Sequence, residues 1–254
     1  MKALITGASS GIGKNMAYVF ASKGIDLVLV ARNKEEMLKI KENVKVNVLV
    51  LELDLLKEKN VFKLYEICKD ENIDILINNA GLGLFGIFTE TDLTRELEMI
   101  DLNIKAYHIL TKLFLKDFVE KDSGYILNVA SSAGFMAGPR LSTYYATKNY
   151  VLKLTMAINE ELKQSGSNVV VSALCPGPVN TNFNNVANGE FSIKEASPKY
   201  VAEYAINKMF KKKMIIVPTL RIKLGIFLLR LIPYRLQLIY CYHIQGKKLG
   251  VNKK

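Results

Sequence analysis

The chain of 254 residues has no Trp, three Cys, two His and no acidic residue after Glu203. Cys68, Cys175 and Cys241 are odd in number, far apart and without a C-x-x-C pair. That excludes a disulfide framework and fits reduced thiols in a cytoplasmic protein. His108 and His243 make no ligand spacing with them or with each other, so no metal site is expected. A spanning helix needs about 20 apolar residues. The apolar tail is cut by Arg221, Lys223, Arg230 and Arg235, which leaves at most 11 uncharged residues in a row there, at 236–246. Met1 opens directly into Lys-Ala-Leu-Ile-Thr-Gly, with no charged segment before an apolar core, and no signal peptide is expected.

What is present is a formal charge of +11, from 35 Lys+Arg against 24 Asp+Glu. Residues 1–203 carry 23 basic and 24 acidic side chains, a net of −1, and the remainder carries 12 basic and none acidic. The excess therefore belongs to the C-terminal fifth. It is not a global field that recruits nucleic acid, and no nucleic-acid module accompanies it.

The first 180 residues alternate two hydrophobic periods. β-Branched runs at 2–6, 26–31, 46–53, 73–77, 124–130 and 168–174, with a last short one at 214–217, predict strands. Helical spacing recurs at 12–23, 34–43, 57–70, 93–120 and 143–164. Gly24 stands where a helix C-cap belongs. Continuous apolar runs such as Asp26-Leu-Val-Leu-Val-Ala31 suit strands buried on both faces. The expectation is an α/β fold: a doubly wound, Rossmann-type parallel sheet of seven strands with helices on both faces. It spans 1–218, and a basic, apolar helical appendage covers 219–254.

The first strand runs into Thr6-Gly7-Ala8-Ser9-Ser10-Gly11-Ile12-Gly13 and then a helix. Glycines at this junction allow a tight turn and let backbone approach a pyrophosphate at a helix N-terminus. The spacing Gly-x-x-x-Gly-x-Gly resembles that of the short-chain dehydrogenase/reductase family. After the second strand comes Ala31-Arg32, with Ala where the family's NAD-users carry Asp; an Arg there pairs with the 2′-phosphate of NADP. Asp54, followed by Leu55, matches the family's acidic residue beside the adenine amino group. Asn78-Asn79-Ala80-Gly81 matches its Asn-Asn-Ala-Gly element. Pro176-Gly177-Pro178-Val179-Asn180-Thr181 resembles the loop that bonds the nicotinamide carboxamide.

Tyr144 and Lys148 stand four apart at the start of a helix, on one face and one turn apart. An ammonium beside a phenol stabilises the phenolate, so the Tyr144 pKa is expected to fall toward the working range of an acid/base. Tyr145 is excluded because its i+4 partner is Asn149. Ser131 lies thirteen residues before Tyr144 at a strand's C-terminal edge, where a hydroxyl can hold a carbonyl oxygen beside the phenol. The resemblance prefers Ser131 to Ser132, because that spacing and Gly134 both match the family. It also matches Asn103 to the family Asn that holds a water linking the Lys to solvent.

The resemblance implies hydride transfer between NADP(H), preferred to NADH, and a carbonyl or secondary alcohol. Tyr144 would protonate the oxygen, Ser131 orient it, Lys148 bind the nicotinamide ribose and Asn103 maintain the proton relay. Gly83-Leu84-Phe85-Gly86 and the tail resemble a bacterial subgroup of oxidoreductases, some acting on acyl or lipid-like ketones. A non-catalytic NADPH-binding regulator or scaffold is the alternative, disfavoured because all four catalytic residue types are present. Family members assemble as homodimers or homotetramers through the helices equivalent to 93–120 and 143–164. A pocket is expected from 83–92, 133–142 and 182–198, with the appendage as a further candidate wall, and Phe85, Phe135, Met136 and Phe183 suggest an apolar lining, although each fits the core equally well. At about 100° per residue, Leu220, Leu224, Phe227, Leu228 and Leu231 form one face of a tail helix and Ile222, Ile226 and Leu229 the other, with basic flanks. Four readings of this tail compete: a cover packed on the domain, an oligomer interface or lid, an anchor on anionic lipid, and, last, a nucleic-acid contact.

Overall fold

Strands that are apolar without alternation bury both faces, and here they do so in one parallel sheet. It contains β1 (Lys2–Thr6), β2 (Asp26–Ala31), β3 (Val48–Glu52), β4 (Ile75–Asn78), β5 (Tyr125–Val129), β6 (Val170–Leu174) and β7 (Ile215–Ile216), in the order β3-β2-β1-β4-β5-β6-β7. The computed structural model describes residues 1–181 and 195–248. Registers such as Ile5↔Leu29 and Ile5↔Ile77 place β1 centrally, paired on both sides.

On one face, Ala3, Ile5, Leu27, Leu29 and Ile77 meet α1 (Gly11–Ser22) through Met16 and Phe20, and α2 (Lys34–Glu42) through Met37 and Ile40. On the other, Leu4, Val28, Leu76 and Ile126 meet α3 (Glu58–Cys68), α5 (Tyr107–Glu120) and α6 (Ser142–Gln164). Gly24, at φ +71°, ends the α1 segment as its spacing predicts: its N–H donates to Ala21 and that of Ile25 to Phe20. Asn33 caps α2 through a bond from the Glu36 N–H.

Two features depart from the predicted elements. The single helix expected over 93–120 is α4 (Leu93–Ile100), a π-helical turn over Asp101–Ala106, and α5. The widened turn turns Asn103 inward, where it is fully buried. A further helix, α7 (Pro198–Phe210), has no counterpart in the sequence reading. Its stripe Val201, Ala202, Ala205, Ile206 and Met209 packs on the α1 side of the sheet, and Pro198 supplies its N1 position.

After β7 the chain forms α8 (Leu220–Leu229) and, beyond Pro233, α9 (Tyr234–Lys248). Ile222 and Ile226 pack on Val217, Cys175 and their neighbours. The opposite face (Leu220, Leu224, Phe227, Leu228 and Leu231) is exposed. Among the described residues, no helix is long and apolar enough to cross a membrane.

Candidate active site

The strand order reverses at β1, and ligands in such sheets bind beyond the strand C-termini at that switch point. A cleft of about 1490 Å³ lies there. Its floor is built by hydrogen bonds from the ends of β1 and β4. The Thr6 hydroxyl donates to the Ile77 carbonyl at 3.3 Å and accepts from the N–H groups of Asn79 and Ala80 at 2.9 and 3.1 Å. The Asn79 amide donates back to the carbonyls of Thr6 and Gly7. The glycine turn is pressed against this floor: a Cβ on Gly7 would lie 2.8 Å from Ala80 Cα, and one on Gly13 2.5 Å from both the Gly7 oxygen and Asn79 Nδ2. Gly7 and Gly11 also adopt φ of +64° and +53°, which other residues reach only with strain. Helix α1 then starts with no acidic residue in its first turn and no side-chain cap from Ser10.

Gly7, Ser9, Ser10, Gly11, Ile12, Arg32, Asp54, Leu55, Asn79, Ala80 and Gly81 line the cleft, as do Ser131, Tyr144, Lys148, Pro176, Gly177, Val179 and Thr181. Gly13 and Asn103 lie behind it. Exposed Arg32 stands at the end of β2. The Asp54 carboxylate accepts from the Leu56 N–H, and its carbonyl from Asn60.

At the other end, Ser131 ends the β5 segment and caps a short 3-10 turn, accepting from the Ala133 N–H at 3.1 Å. The neighbouring Ser132 N–H donates to the Pro176 carbonyl at 2.8 Å, which ties this loop to the one after β6. Lys148 is buried, and its ammonium donates to the Val129 carbonyl at 2.9 Å; desolvation pulls its pKa down to about 8. Its Nζ lies 5.9 Å from the centre of the Tyr144 ring. The Tyr144 phenol is pushed up to about 12 by desolvation, against a hydrogen bond with Ser131 that favours the phenolate. This direction is opposite to the sequence expectation. The i+4 spacing brings Lys148 beside the ring as foreseen, but the ammonium points at the backbone of β5 and loss of water dominates the phenol.

Asn103 works within the wall. Its oxygen accepts from the Leu82 N–H at 2.9 Å, and its amide donates to the Leu82 carbonyl at 2.9 Å and to Thr147 Oγ1 at 3.1 Å. Thr147 is one residue from Lys148, so the π-helical turn is tied to the turn of α6 that carries Lys148. Asn149, which excluded Tyr145 from the acid/base pair, donates to the carbonyls of Ala133, Met136 and Tyr145 and holds the 133–136 loop on α6.

The pocket wall differs from the expected one. Met136 and Leu141 line the cleft. Phe85 is instead packed beneath Leu141, Tyr144 and Tyr145, and Phe135 packs with Val151 and Leu152. Phe183 falls outside the described residues. Much of the wall comes from α8 and α9, including Ile226, Leu229, Ile232, Leu236, Tyr240 and Ile244. Ile222 seats on the loop after β6: a Cβ on Gly177 would lie 2.7 Å from Ile222 Cγ1. Gln245, Cys241 and Tyr145 complete the wall, and the Arg140 guanidinium stacks 4.0 Å from the Tyr242 ring centre. The sequence reading offered the appendage as a wall or lid of the pocket but named none of these contacts. The one available signal was that Gln237, Cys241 and Gln245 recur every four residues in an otherwise apolar and basic tail.

Residues 1–190 match the family model of short chain dehydrogenases. An uncharacterized oxidoreductase of Staphylococcus saprophyticus is 34% identical over 210 residues, covering 80% of this chain and 88% of the relative. A short-chain dehydrogenase from Sphingobium yanoikuyae, solved in complex with NADPH, is 32% identical with a TM-score of 0.80, over 86% of this chain and 88% of that one. A bulky-bulky ketone specific alcohol dehydrogenase from Comamonas testosteroni is 30% identical with a TM-score of 0.77, over 86% of each chain. Sheet order, glycine turn and sequence agree, and the chain belongs to the short-chain dehydrogenase/reductase family of oxidoreductases.

Proposed function

We propose that this oxidoreductase is an NADP(H)-dependent reductase of apolar ketones or aldehydes, or the dehydrogenase of the matching secondary alcohols. The observation that carries the reading is one cleft with Arg32 at one end and Ser131, Tyr144 and Lys148 converging at the other. A dinucleotide fits the residues between. Gly7, Gly11 and Gly13 leave a cradle that a Cβ would fill, and α1 begins there without an acidic first turn. Ser9, Ser10 and Ile12 would hold the pyrophosphate. Asp54 and Leu55 would hold the adenine, and Asn79, Ala80 and Gly81 the adjoining wall. Pro176, Gly177, Val179 and Thr181 would hold the nicotinamide end. Arg32 favours a 2′-phosphate, and the relative solved with NADPH supports that preference.

The bound nucleotide supplies or accepts the hydride. In the reduction direction Ser131 orients the carbonyl oxygen, and the Tyr144 hydroxyl gives that oxygen its proton. A phenol held at about 12 remains protonated throughout the working range, as a general acid must be. The Ser131 hydrogen bond eases the phenolate left behind, and the nearby Lys148 charge acts in the same sense. Asn103 is a positioning residue that fixes Thr147 and thereby the Lys148 turn, and in this reading it also holds the water that connects Lys148 to solvent. The reading includes a homo-oligomer formed through α4, α5 and α6, for which exposed Leu93, Leu97 and Val119 offer apolar surface.

The test is Tyr144→Phe with a ketone that the unaltered enzyme turns over. NADPH oxidation should be abolished while NADPH affinity, read by fluorescence, changes by no more than about two-fold, because a single hydroxyl is removed from a half-buried ring. Retained turnover overturns the assignment. Turnover absent from the unaltered chain would leave an NADPH-binding regulator in its place.

A further inference from the structure

Helix α9 is built with its polarity reversed. Its buried stripe is Gln237, Cys241 and Gln245, while Tyr234, Leu236, Leu238, Ile239, Tyr240 and Tyr242 face solvent. Gln237 is used internally, donating to the Leu229 and Ile232 carbonyls at 2.8 and 2.7 Å and closing the turn between α8 and α9. On α8 the same inversion holds: Leu220 is 83% and Phe227 59% exposed, although Ile222 and Ile226 on the opposite face pack against the domain. A contiguous apolar surface of this kind marks a site of interaction.

Its charge selects the occupant. Arg221, Lys223, Arg230 and Arg235 flank the surface, and no acidic residue follows Glu203. A second copy docked by the same face would set these cations against their equivalents with no carboxylate from the segment between them. An anionic lipid surface supplies the missing charge, and apolar side chains with tyrosines and basic flanks are what an interfacial helix presents to it.

The same helices shape the catalytic cleft. Leu228, Ile232, Leu236 and Tyr240 line the cleft and are also exposed, so the apolar surface continues over the rim into the substrate site. We propose that α8 and α9 dock this protein on an anionic bilayer with the cleft mouth at the lipid, and that its carbonyl substrate is a lipid-soluble chain drawn from that layer. The substrate half of this statement rests on the reductase reading; the docking half does not.

The experiment is sedimentation of the full-length protein with phosphatidylglycerol/phosphatidylcholine vesicles and with phosphatidylcholine vesicles alone, for the unaltered chain and for Leu224→Glu/Phe227→Glu. Both altered positions are exposed and outside the cleft lining, and an unchanged melting temperature would report an intact fold. The protein should bind the anionic vesicles, bind the neutral ones at least about ten-fold more weakly, and lose about ten-fold or more in affinity on substitution. No binding to anionic vesicles, equal binding to both kinds, or unchanged binding by the folded variant would each overturn the proposal. So would a vesicle-free dimer that the substitution dissociates, which would assign the face to a second copy. Turnover of a water-soluble ketone, measured alongside, reports the reductase reading separately from vesicle binding.

Discussion

The side-chain amide of Gln245 donates a 2.7 Å hydrogen bond to the hydroxyl of Tyr145, across 100 residues of sequence. Tyr145 is the neighbour of Tyr144 on α6, so this bond joins α9 to the turn that carries Tyr144. Cys241 Sγ approaches the same hydroxyl at 4.0 Å, and burial pushes the Tyr145 phenol well above its ordinary range. Tyr145 is thereby a neutral structural anchor in the cleft wall that it shares with Tyr144.

Removing the anchor should loosen the wall and leave the chemistry. Gln245→Ala is expected to raise KM for a bulky apolar ketone several-fold while kcat for a small ketone changes by less than about two-fold, because uniform binding is lost and not transition-state stabilisation. Steady-state kinetics on the two ketones checks this, with hydrogen exchange over 234–246 as the structural readout. Equal losses in kcat for both ketones would contradict it.

Arg32 stands exposed at the cleft edge, within the cleft lining that a nucleotide phosphate would meet. A charge-assisted hydrogen bond contributes about 1.5–3 kcal/mol, or roughly 10–100-fold in affinity. Arg32→Ala should therefore lower kcat/KM for NADPH by about that factor and leave the value for NADH within about two-fold. The measurement is both nucleotides side by side on one ketone. A chain that already prefers NADH would overturn the reading of Arg32.

The legible parts of this molecule were the local ones. The glycine turn, the alternating periods and the Tyr144–Lys148 spacing depend on contacts within a few residues, and each appears in the sequence as a pattern. The π-helical turn at Asp101–Ala106 carries no such mark: the resemblance singles out Asn103, but only the fold brings Leu82 and Thr147 to it. The fate of Phe85 was equally hidden: an aromatic side chain beside a pocket and one beneath its floor have the same sequence. Spacing gave the nearness of Lys148 to Tyr144 but not the balance of burial against charge that sets the phenol. In the tail, apolar periodicity divided α8 correctly into two faces, yet which one met the protein depended on the loop after β6, where Ile222 finds the bare Cα of Gly177.

Beneath the site, Asn128 accepts from Asn78 Nδ2 at 2.9 Å and from Thr111 at 3.3 Å, and donates to Thr155 at 3.0 Å. These four side chains are almost wholly buried and join β4, β5, α5 and α6. The network has little slack, since among the described residues Asn78 Oδ1 has no hydrogen-bond partner. Asn128→Ala removes one hydrogen bond from each of Asn78, Thr111 and Thr155, which keep the Asn78–Thr111 and Thr155–Val151 bonds, and each lost bond is worth about 0.5–1.5 kcal/mol. Urea unfolding should show a loss of about 2–4 kcal/mol with an unchanged m-value. A loss below about 1 kcal/mol, the scale of an ordinary substitution, would show that the network is not a principal support of the sheet.

Lys148 ties function to instability. Its pKa falls from 10.5 to about 8 because burial disfavours the charge, so between these two values the unfolded chain holds more protons than the folded one. Stability must then rise with pH across that window, and the penalty is fully present below it. Activity should move the other way: kcat/KM for NADPH-dependent reduction should fall above about pH 8 as the ammonium is lost. The Tyr144 phenol, at about 12, should add no limb below that fall. Lys148→Met separates the two effects. The Val129 carbonyl that accepts from Lys148 also accepts from the Tyr107 hydroxyl at 3.4 Å, so the substitution removes a buried charge without orphaning its acceptor. At pH 7 it should stabilise the fold by about 1–3 kcal/mol, raising the melting temperature by roughly 2–8 °C, while abolishing turnover. Calorimetry at pH 7 and pH 10 tests the sign, because the gain over the unaltered protein should shrink at the higher pH. A variant less stable at pH 7 would mean that the Lys148–Val129 bond outweighs the desolvation of the charge.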